Sequence, residues 1–574
     1  MAGTRKLIGP RLAGFIGGAL ALALVLLQPT LMEVARNRVF DEFQRLAPRH
    51  NENWPARVVE IDEASLAKYG QWPWPRWRLA NLVDRLGDAG AAAVLLDIVL
   101  AEPDRTSPPN VAASWVSSPA LLPAEEALQG ANLLLVDHDR RLAAALARTP
   151  SVLNLTASAN AAEGGCLPPL PNSKVSGMTA AALARVAPSF RQTVSSLPIL
   201  RQAASGEGFA RVALKEDAVV RSAPLIALAC DGTQIYPSFA LEALRVAAPK
   251  LDAKFAPPAF VEAAKKGECH NNVTGVAGES VAEVHLCGLH IPTAEDGEIW
   301  IHYSPPSSVA KRRLSAIDAF EDDPEKLKAE VAGRIVLIGA SAEGLEDVQI
   351  TPMGDNRPGA HIHAEIIEQV LSGQTLYRAW DWMGAAEIAG GVIGALLLII
   401  MLPSMSAAAG TVLWAGLTAA LFGGAFYTFK DYNILINPVS PGLILSLSYF
   451  GAFVVLFQQE QNARRFIRGV FGKFLSPLVV ERLEKDPSLL NLEGESREIT
   501  AFFSDIRSFT TISEQLTPQQ VTMMLNQYFT PMTRIVTENK GLVDKYIGDG
   551  LAAMWNAPLD IDNHPSHACR AALA

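Results

Sequence analysis

Long stretches without a charged residue are the feature that most constrains how this chain can fold. Residues 12–32 carry no charge, and at about 1.5 Å per residue they form a helix long enough to cross a hydrocarbon core of about 30 Å. Residues 388–429 are also uncharged but are interrupted at Pro403, and residues 434–457 form a third such stretch. The pattern predicts four transmembrane helices, at residues 12–32, 384–402, 407–429 and 434–457.

An even number of spans places both termini on the same side of the membrane. Basic residues, which favour the cytoplasmic side, precede the first span and follow the last: Arg5, Lys6, Arg11, Arg464, Arg465, Arg468 and Lys473. We therefore expect a multi-pass protein of the inner (plasma) membrane, with residues 1–11 and the segment after residue 457 in the cytoplasm and residues 33–380 outside. The basic start also resembles a signal peptide, but no small-residue cleavage site follows clearly, which favours a retained anchor.

Charge and cysteine content narrow the possible partners. The 49 Lys and Arg residues against 59 Asp and Glu give a net charge of -10, without the basic excess that nucleic-acid binding uses, so no nucleic-acid partner is expected. Four of the five cysteines lie in the outer segment, where an oxidising compartment permits disulfides: Cys166, Cys230, Cys269 and Cys287. Cys269 with Cys287 closes the shortest loop, and reduced buried thiols are the alternative.

The outer segment alternates strand and helix patterns. Two β-branched-rich runs, residues 57–62 and 91–100, flank the amphipathic stretch 79–89. Further along, residues 334–340 indicate a buried strand and residues 363–371 a helix. This order predicts an α/β domain. Residues 105–130 and 160–180 are rich in Pro, Ala and Ser and predict long surface loops.

The same segment resembles a known family of sensor domains. Residues 59–66 (VEIDEASL) and 70–76 (GQWPWPR) near its start, and residues 333–341 (GRIVLIGAS) and 358–364 (PGAHIHA) near its end, look like the extracellular CHASE-type domain of the second class. The resemblance covers roughly residues 35–375 and implies an extracytoplasmic ligand, whose identity it does not give.

Several polar residues of this segment are candidates for a ligand pocket or a metal site. Those near predicted strand ends, where ligand sites of α/β domains cluster, are Asp62, Arg76, Asp97 and Asp104. Turn capping and ion pairing are the alternative role for these four. His361 and His363 would share one face of an extended segment, which points to a metal, although a hydrogen-bonded histidine beside a turn is the commoner case.

Two acidic residues near the end of the sequence combine strand ends with turns. Residues 499–505 (ITAFFSD) predict a strand ending in Asp505, and residues 542–547 and 551–555 predict a hairpin whose tip carries Asp549. We expect the two carboxylates to meet at neighbouring strand ends and to share two divalent cations, Mg²⁺ or Mn²⁺, bound to a nucleoside triphosphate. One ion would activate the ribose 3′-hydroxyl and the other would neutralise the leaving pyrophosphate.

These residues belong to a longer pattern. Residues 503–510 (FSDIRSFT) and 544–555 (DKYIGDGLAAMW) together closely resemble class III adenylate and guanylate cyclases. The resemblance implies an α+β, ferredoxin-like catalytic domain at residues 495–574. The helical spacing of apolar residues after the last span predicts a linker helix before it, at residues 458–494. The resemblance matches Asp505, Ile506 and Asp549 to metal-holding positions. It makes Ser508, Phe509, Thr510 and Lys545 candidate substrate-binding residues, with Lys545 at the base-reading position, where Lys goes with adenine.

The resemblance implies a sensor adenylate cyclase that converts ATP to cyclic AMP and pyrophosphate as a homodimer. The family's later strands, with the Asn and Arg that stabilise the transition state, would follow Ala574, which stands in a predicted helix beginning near residue 561. The chain as it stands is therefore expected to be inactive or nearly so. The alternatives are a guanylate cyclase and a receptor whose cyclase-like part does not catalyse. The uncharged spans do not favour a transporter.

Overall fold

The computed structural model describes residues 9–27, 30–50, 53–111, 137–158, 170–173, 175–179, 181, 188–190, 192–210, 213–214, 217–229, 234–276, 280–294, 296–342, 344, 348–378, 380–471, 496–557 and 560–574. Two compact units contain these residues. The large unit comprises Leu20–Gly394 and Trp414–Leu445, and the small unit comprises Met1–Ala19, Ala395–Leu413 and Ser446–Ala574. The loops predicted at 105–130 and 160–180 lie mostly outside the described residues, as do Cys166 and Cys230.

Short strands and helices alternate from the N-terminus to residue 372. The helices are α1 (Pro10–Leu27), α2 (Thr30–Leu46), α3 (Glu63–Tyr69), α4 (Arg76–Asp88), α5 (His138–Arg148), α6 (Pro198–Ala203), α7 (Phe239–Ala247), α8 (Pro258–Lys266), α9 (Ser307–Arg312), α10 (Ala316–Glu321), α11 (Pro324–Val331) and α12 (Gly359–Ser372). The strands are β1 (Ala56–Ile61), β2 (Ala93–Leu96), β3 (Ser151–Ser158), β4 (Val175–Ser176), β5 (Ser189–Phe190), β6 (Gln192–Val194), β7 (Gly206–Phe209), β8 (Ala213–Leu214), β9 (Val220–Pro224), β10 (Ile226–Ala229), β11 (Gln234–Pro237), β12 (Asn271–Val276), β13 (Ser280–Leu286), β14 (Leu289–Pro292), β15 (Glu298–Trp300), β16 (Arg313–Ser315), β17 (Ile335–Ala340), β18 (Val348–Ile350) and β19 (Asn356–Pro358).

A seven-stranded sheet forms the centre of the large unit. Its order is β16-β1-β17-β2-β3-β6, and β7 also pairs with β3. All neighbouring strands run parallel except β6, which is antiparallel to β3. Parallel strands joined through helices are the arrangement of an α/β domain. The carboxyl ends of β1, β17 and β2 therefore lie along one edge, which positions the residues that follow them.

Helices cover both faces of this sheet because its strands are apolar on both sides. Val58 and Leu337 face α7 and α12, in a core that contains Phe239. Their neighbours along the strands, Val59 and Ile338, face α4 and α5 on the opposite side. Side chains alternate along a strand, so one buried strand supplies both cores.

A cluster of buried charges lies around α12, in the same helix layer as α7. Three arginines and two glutamates of the cluster have fully buried side chains: Arg49, Arg312, Arg357, Glu365 and Glu368. Ser304 donates a hydrogen bond to Glu365, and Asp355 pairs with Arg357 at 2.9 Å, so three cations face three carboxylates. Burial alone raises the pKa of Glu365, but the three arginines hold that pKa well below its ordinary value.

Four helices among the described residues are long and apolar enough to cross a membrane. They are Pro10–Leu27, Trp382–Ser404, Ala407–Tyr432 and Val439–Gln459. The last three belong to α13 (Trp380–Met401), α14 (Ala407–Tyr432) and α15 (Val439–Phe471). The first is described from Pro10 to Leu27, and residues 28 and 29 lie outside the described residues. The predicted linker continues α15 to Phe471, and residues 472–494 lie outside the described residues.

Helices α1 and α15 approach each other closely within the small unit. A Cβ atom on Gly17 would collide with the carbonyl oxygen of Leu447, and one on Gly451 would lie 2.6 Å from the carbonyl oxygen of Ala13. Small residues allow such contact between backbones, which is how membrane helices without a hydrophobic driving force gain packing energy.

The C-terminal part of the small unit is a three-stranded antiparallel sheet with helices. Its elements are β20 (Thr500–Ser504), α16 (Phe509–Ser513), α17 (Pro518–Glu538), β21 (Leu542–Ile547), β22 (Gly550–Trp555) and α18 (His564–Leu573), and the strand order is β20-β22-β21. Thr517 and Gln520 form a capping box at the start of α17. Trp555 is fully buried and donates from Nε1 to the carbonyl oxygen of Asn539 at 2.9 Å.

Candidate active site

The antiparallel sheet brings the two predicted aspartates to one edge. Ser504, the last residue of β20, pairs with Leu551 of β22, so Asp505 follows directly at that end. Asp549 stands in the turn between β21 and β22, at the same end of the sheet. Because β22 is the central strand, its turn and the exit of β20 must be neighbours.

Distances around the turn agree with this topology. Oδ2 of Asp549 accepts a hydrogen bond from the backbone N–H of Ile506 at 3.3 Å. A Cβ atom on Gly550 would lie 3.7 Å from Oδ1 of Asp505 and 2.8 Å from the carbonyl oxygen of Ser504, so only glycine fits without displacing this edge. Neither aspartate has an ion-pair partner among the described residues. Both carboxylate groups therefore lie at this edge of the sheet.

Lys545 and Asp505 lie on the same face of the antiparallel sheet. Phe503, Ala552 and Lys545 lie opposite one another across the three strands and so share one face. We call this the outer face. Side chains alternate along a strand, so Asp505, two residues after Phe503, lies on it too. The opposite face carries Tyr546, whose hydroxyl is 2.6 Å from Oγ1 of Thr533 on α17.

The remaining candidate residues lie in the turn after β20. Ser508 adopts a left-handed backbone with φ of 63°, and α16 begins at Phe509. The carbonyl oxygen of Ile506 accepts a hydrogen bond from the N–H of Phe509 at 3.2 Å, which leaves one lone pair of this oxygen available. Thr510 is exposed. The candidate residues of this domain thus lie at the end of β20, in the turns next to it and, for Lys545, on β21. Their role as one site stays a prediction.

The four candidate pocket residues of the large unit divide among different partners. Asp62 caps α3 by accepting from the N–H of Ser65 at 2.9 Å, and Asp97 accepts from Nδ2 of Asn154 at 2.9 Å. Although burial alone raises it, the pKa of Asp62 is lowered by hydrogen bonds from Ser65, Ser315 and Arg313. These contacts are those of capping and pairing, and a pocket role for Asp62 and Asp97 stays a prediction.

Arg76 and Asp104 do come together. The backbone N–H of Arg76 donates to Oδ2 of Asp104 at 2.7 Å, and Nδ1 of His138 is 3.1 Å from the same oxygen. Nε of Arg76 is 3.7 Å from Oδ1 of Asp139. The sequence did not single out His138 and Asp139 as candidates. The signal that could have found them was Asp137, which caps the amphipathic helix α5 at its start.

His361 and His363 do not form the metal pair that an extended segment would allow. Both lie in α12, where residues two positions apart point in different directions, so they cannot share a ligand as they would in an extended segment. Nε2 of His361 is 2.8 Å from Oε1 of Glu60, and His363 packs against the ring edge of Phe239 with centroids 5.3 Å apart. His361 therefore has the hydrogen-bonded role that is commoner for such residues.

The outer cysteines do form the shortest-loop disulfide. Cys269 and Cys287 are bonded, with Cα atoms 4.2 Å apart. This bond ties the turn of the β13–β14 hairpin to the segment before β12. Cys569 is free and exposed.

An α/β domain, four membrane-type helices and a separate antiparallel sheet with helices indicate a multidomain, membrane-associated protein. Comparison with known families agrees. Residues 18–402 match the CHASE2 domain, and residues 493–574 match the adenylate and guanylate cyclase catalytic domain. The chain therefore belongs to the CHASE2 domain family, and its residues 493–574 are similar to the catalytic domain of adenylate and guanylate cyclases.

Individual relatives are similar to this chain over a limited stretch. Adenylate cyclase 1 of Rhizobium meliloti (strain 1021) is 46% identical over 78 residues, which is 14% of this chain and 12% of the relative. An adenylate cyclase of Anabaena cylindrica is 32% identical over 121 residues, 21% of this chain and 22% of the relative. The crystal structure of the guanylyl cyclase Cya2 is 35% identical, covers 14% of this chain and 41% of that one, and has a TM-score of 0.14. The chain thus spans about an eighth and about a fifth of the two adenylate cyclases and less than half of the solved guanylyl cyclase chain.

Proposed function

We propose that this protein is a membrane-bound adenylate cyclase that converts ATP to cyclic AMP and pyrophosphate under the control of an extracytoplasmic signal. The convergence of Asp505 and Asp549 on one edge of the sheet is the observation that carries the proposal. Lys545 on the same face as Asp505 supports adenine as the base, because an ammonium group donates to a ring nitrogen acceptor. Two of the named relatives are adenylate cyclases.

Two features of the outer face support a nucleotide and a second subunit as its partners. Its central strand carries Gly550 and Ala552, which leave space above the sheet, between flanking residues with longer side chains. Phe503 and Ile547 on this face are 72% and 56% exposed. Large apolar side chains left in water on one face favour a partner, and we propose that the partner is a second copy of the chain in a homodimer.

Asp505 and Asp549, with the carbonyl oxygen of Ile506, are the residues that would hold divalent cations. Hard oxygen donors fit Mg²⁺ or Mn²⁺, and such ions supply charge neutralisation at the phosphates and activation of the ribose hydroxyl. The turn formed by Ser508, Phe509 and Thr510 would orient the triphosphate. Lys545 would select the base.

Cyclase assays with the protein expressed from its full-length gene test this proposal. We expect cyclic AMP from ATP and Mn²⁺, and a loss of at least about 100-fold in Asp505→Asn and Asp549→Asn, since even indirect contacts to a metal site are worth about 10–100-fold. Glu514→Gln, which changes an exposed carboxylate on the same domain, should keep full activity. Wild-type activity in both Asn variants would refute the site.

The choice of base is tested separately. Lys545→Glu should lower the ratio of ATP to GTP turnover by at least about tenfold, because a carboxylate cannot donate to adenine and can accept from guanine. An unchanged ratio would show that Lys545 does not read the base, and a preference for GTP in the wild type would favour a guanylate cyclase. A protein that turns over neither nucleotide would support the non-catalytic receptor.

We further propose that the cyclase domain is cytoplasmic and the CHASE2 domain faces the outside. Cys569 is an exposed thiol of the cyclase part, and Cys569→Ser identifies its signal. A membrane-impermeant maleimide should label Cys569 in inside-out vesicles and not in spheroplasts. A cysteine introduced at the exposed Lys266 of the large unit should behave in the opposite way. Labelling of Cys569 in intact spheroplasts would reverse the orientation.

A further inference from the structure

The β13–β14 hairpin of the CHASE2 domain carries three metal-ligand side chains on one face. His285 pairs directly with His290 across the hairpin, and Glu283 precedes His285 by two residues on the same strand. Side chains alternate along strands, so Glu283, His285 and His290 point to the same side. The other side carries Val284 and Ile291, which are buried in the core.

The donor atoms of these three residues already lie at the spacing of a metal site. Oε2 of Glu283 is 3.0 Å from Nδ1 of His290 and 3.6 Å from Nε2 of His285. One donor atom from each residue lies within 4.8 Å of the other two. Ligands about 2.0–2.1 Å from a tetrahedral Zn²⁺ are separated by about 3.3 Å, so side-chain rotations alone would bring the three around one ion.

The surrounding structure holds these side chains on a rigid support. The hairpin turn consists of Cys287 and Gly288, with φ values of 48° and 73°, and Cys287 is bonded to Cys269. On the adjacent strand β12, Oγ1 of Thr274 lies 2.8 Å from Nε2 of His285. A site on paired strands keeps its geometry better than one on a loop, which favours binding by reducing the ordering cost.

We propose that Glu283, His285 and His290 form a binding site for a divalent transition-metal ion, with Zn²⁺ the best match. Two imidazoles and one carboxylate are donors that suit Zn²⁺ and neighbouring first-row ions better than Mg²⁺ or Ca²⁺. Glu283 and His285 are half-buried and His290 is exposed, so ions in the surrounding solution reach the site. Three protein ligands leave a coordination position for water or an external ligand. This site is independent of the cyclase proposal.

Zinc titration of the intact chain in detergent, after removal of metals with a chelator, tests the proposal. We expect one Zn²⁺ per chain with micromolar or tighter affinity that is lost or weakened at least about tenfold in Glu283→Gln, His285→Ala and His290→Ala. His270→Ala is the matched control, because it removes an exposed histidine next to the same disulfide. It should leave the binding of this one Zn²⁺ per chain unchanged. Ions bound elsewhere remain in every variant and are not counted.

A second measurement separates metal binding from a folding defect. Zn²⁺ should slow amide hydrogen exchange in residues 280–292 of the wild type and of His270→Ala, and should have no effect there in His290→Ala. His290 is exposed, so its replacement leaves the core intact and the exchange of that variant without Zn²⁺ should match the wild type. The proposal is refuted if no bound Zn²⁺ responds to the three substitutions, or if His270→Ala loses as much as they do.

Discussion

His363 should make the CHASE2 domain lose stability in mildly acidic solution. Its side chain is buried in α12 against the ring of Phe239, and its Nδ1 has no hydrogen-bond partner among the described residues. Burial lowers the pKa of His363 from 6.5 to about 4, because an imidazolium ion there would lose its hydration without gaining a partner. The native state therefore keeps the ring neutral at pH values where the unfolded chain takes up a proton.

The size of the effect follows from the two pKa values. The contribution that neutral His363 makes to the stability of the folded domain is fully present above about pH 6.5. It is lost as the pH falls towards 4. One pKa unit corresponds to about 1.36 kcal/mol, so at pH 5 the native state has lost about 2 kcal/mol. Burial also lowers the pKa of His302 to about 4, which adds a similar loss, for a total of about 4 kcal/mol from the two histidines.

The substitution His363→Leu removes one of these titrations and keeps an apolar side chain of similar size. We expect the variant to lose only about half as much stability between pH 7.5 and pH 5 as the wild type. Amide hydrogen exchange in Ile335–Ala340, corrected for the pH dependence of the intrinsic rate, measures the opening free energy of the central sheet in the intact chain. His270→Leu, at an exposed histidine, is the control. The same pH dependence in His363→Leu and the wild type would refute the reasoning.

Three further substitutions test the fold. Glu365→Gln should destabilise the central sheet by about 3–5 kcal/mol, because it leaves buried arginines uncompensated; hydrogen exchange measures this, and a loss no larger than in the exposed Glu325→Gln would contradict it. Thr517→Ala should lower the stability of the cyclase part by about 1 kcal/mol through loss of the capping box, seen as faster exchange in α17; unchanged exchange would refute a role for the cap. Gly17→Leu should separate α1 from α15 and abolish cross-linking between cysteines placed on them, and undiminished cross-linking would disprove the close contact at Leu447.

The sequence predicted the parts of this protein that depend on neighbouring residues. Four membrane-type helices follow from the length of the uncharged stretches, and the strand before Asp505, the capping box at Thr517 and the hairpin around Asp549 follow from local patterns. That Asp505 and Asp549 lie at the same end of the sheet was predictable, because both follow strands of one small sheet. Their shared role at a metal site stays a prediction. Helix ends were less well predicted, and α18 begins at His564 rather than near residue 561.

Only the tertiary structure decided which distant residues meet. Arg49 and Glu365 are 316 positions apart and form a buried ion pair, while His361 and His363, two positions apart, have unrelated partners. The convergence of Glu283, His285 and His290 depends on the register of a hairpin whose turn is a cysteine and a glycine. Periodicity and hydropathy are properties of a short segment, so a sequence reveals them directly. Strand register and buried charge pairing are set by packing between segments, and they become fixed only when the whole domain folds.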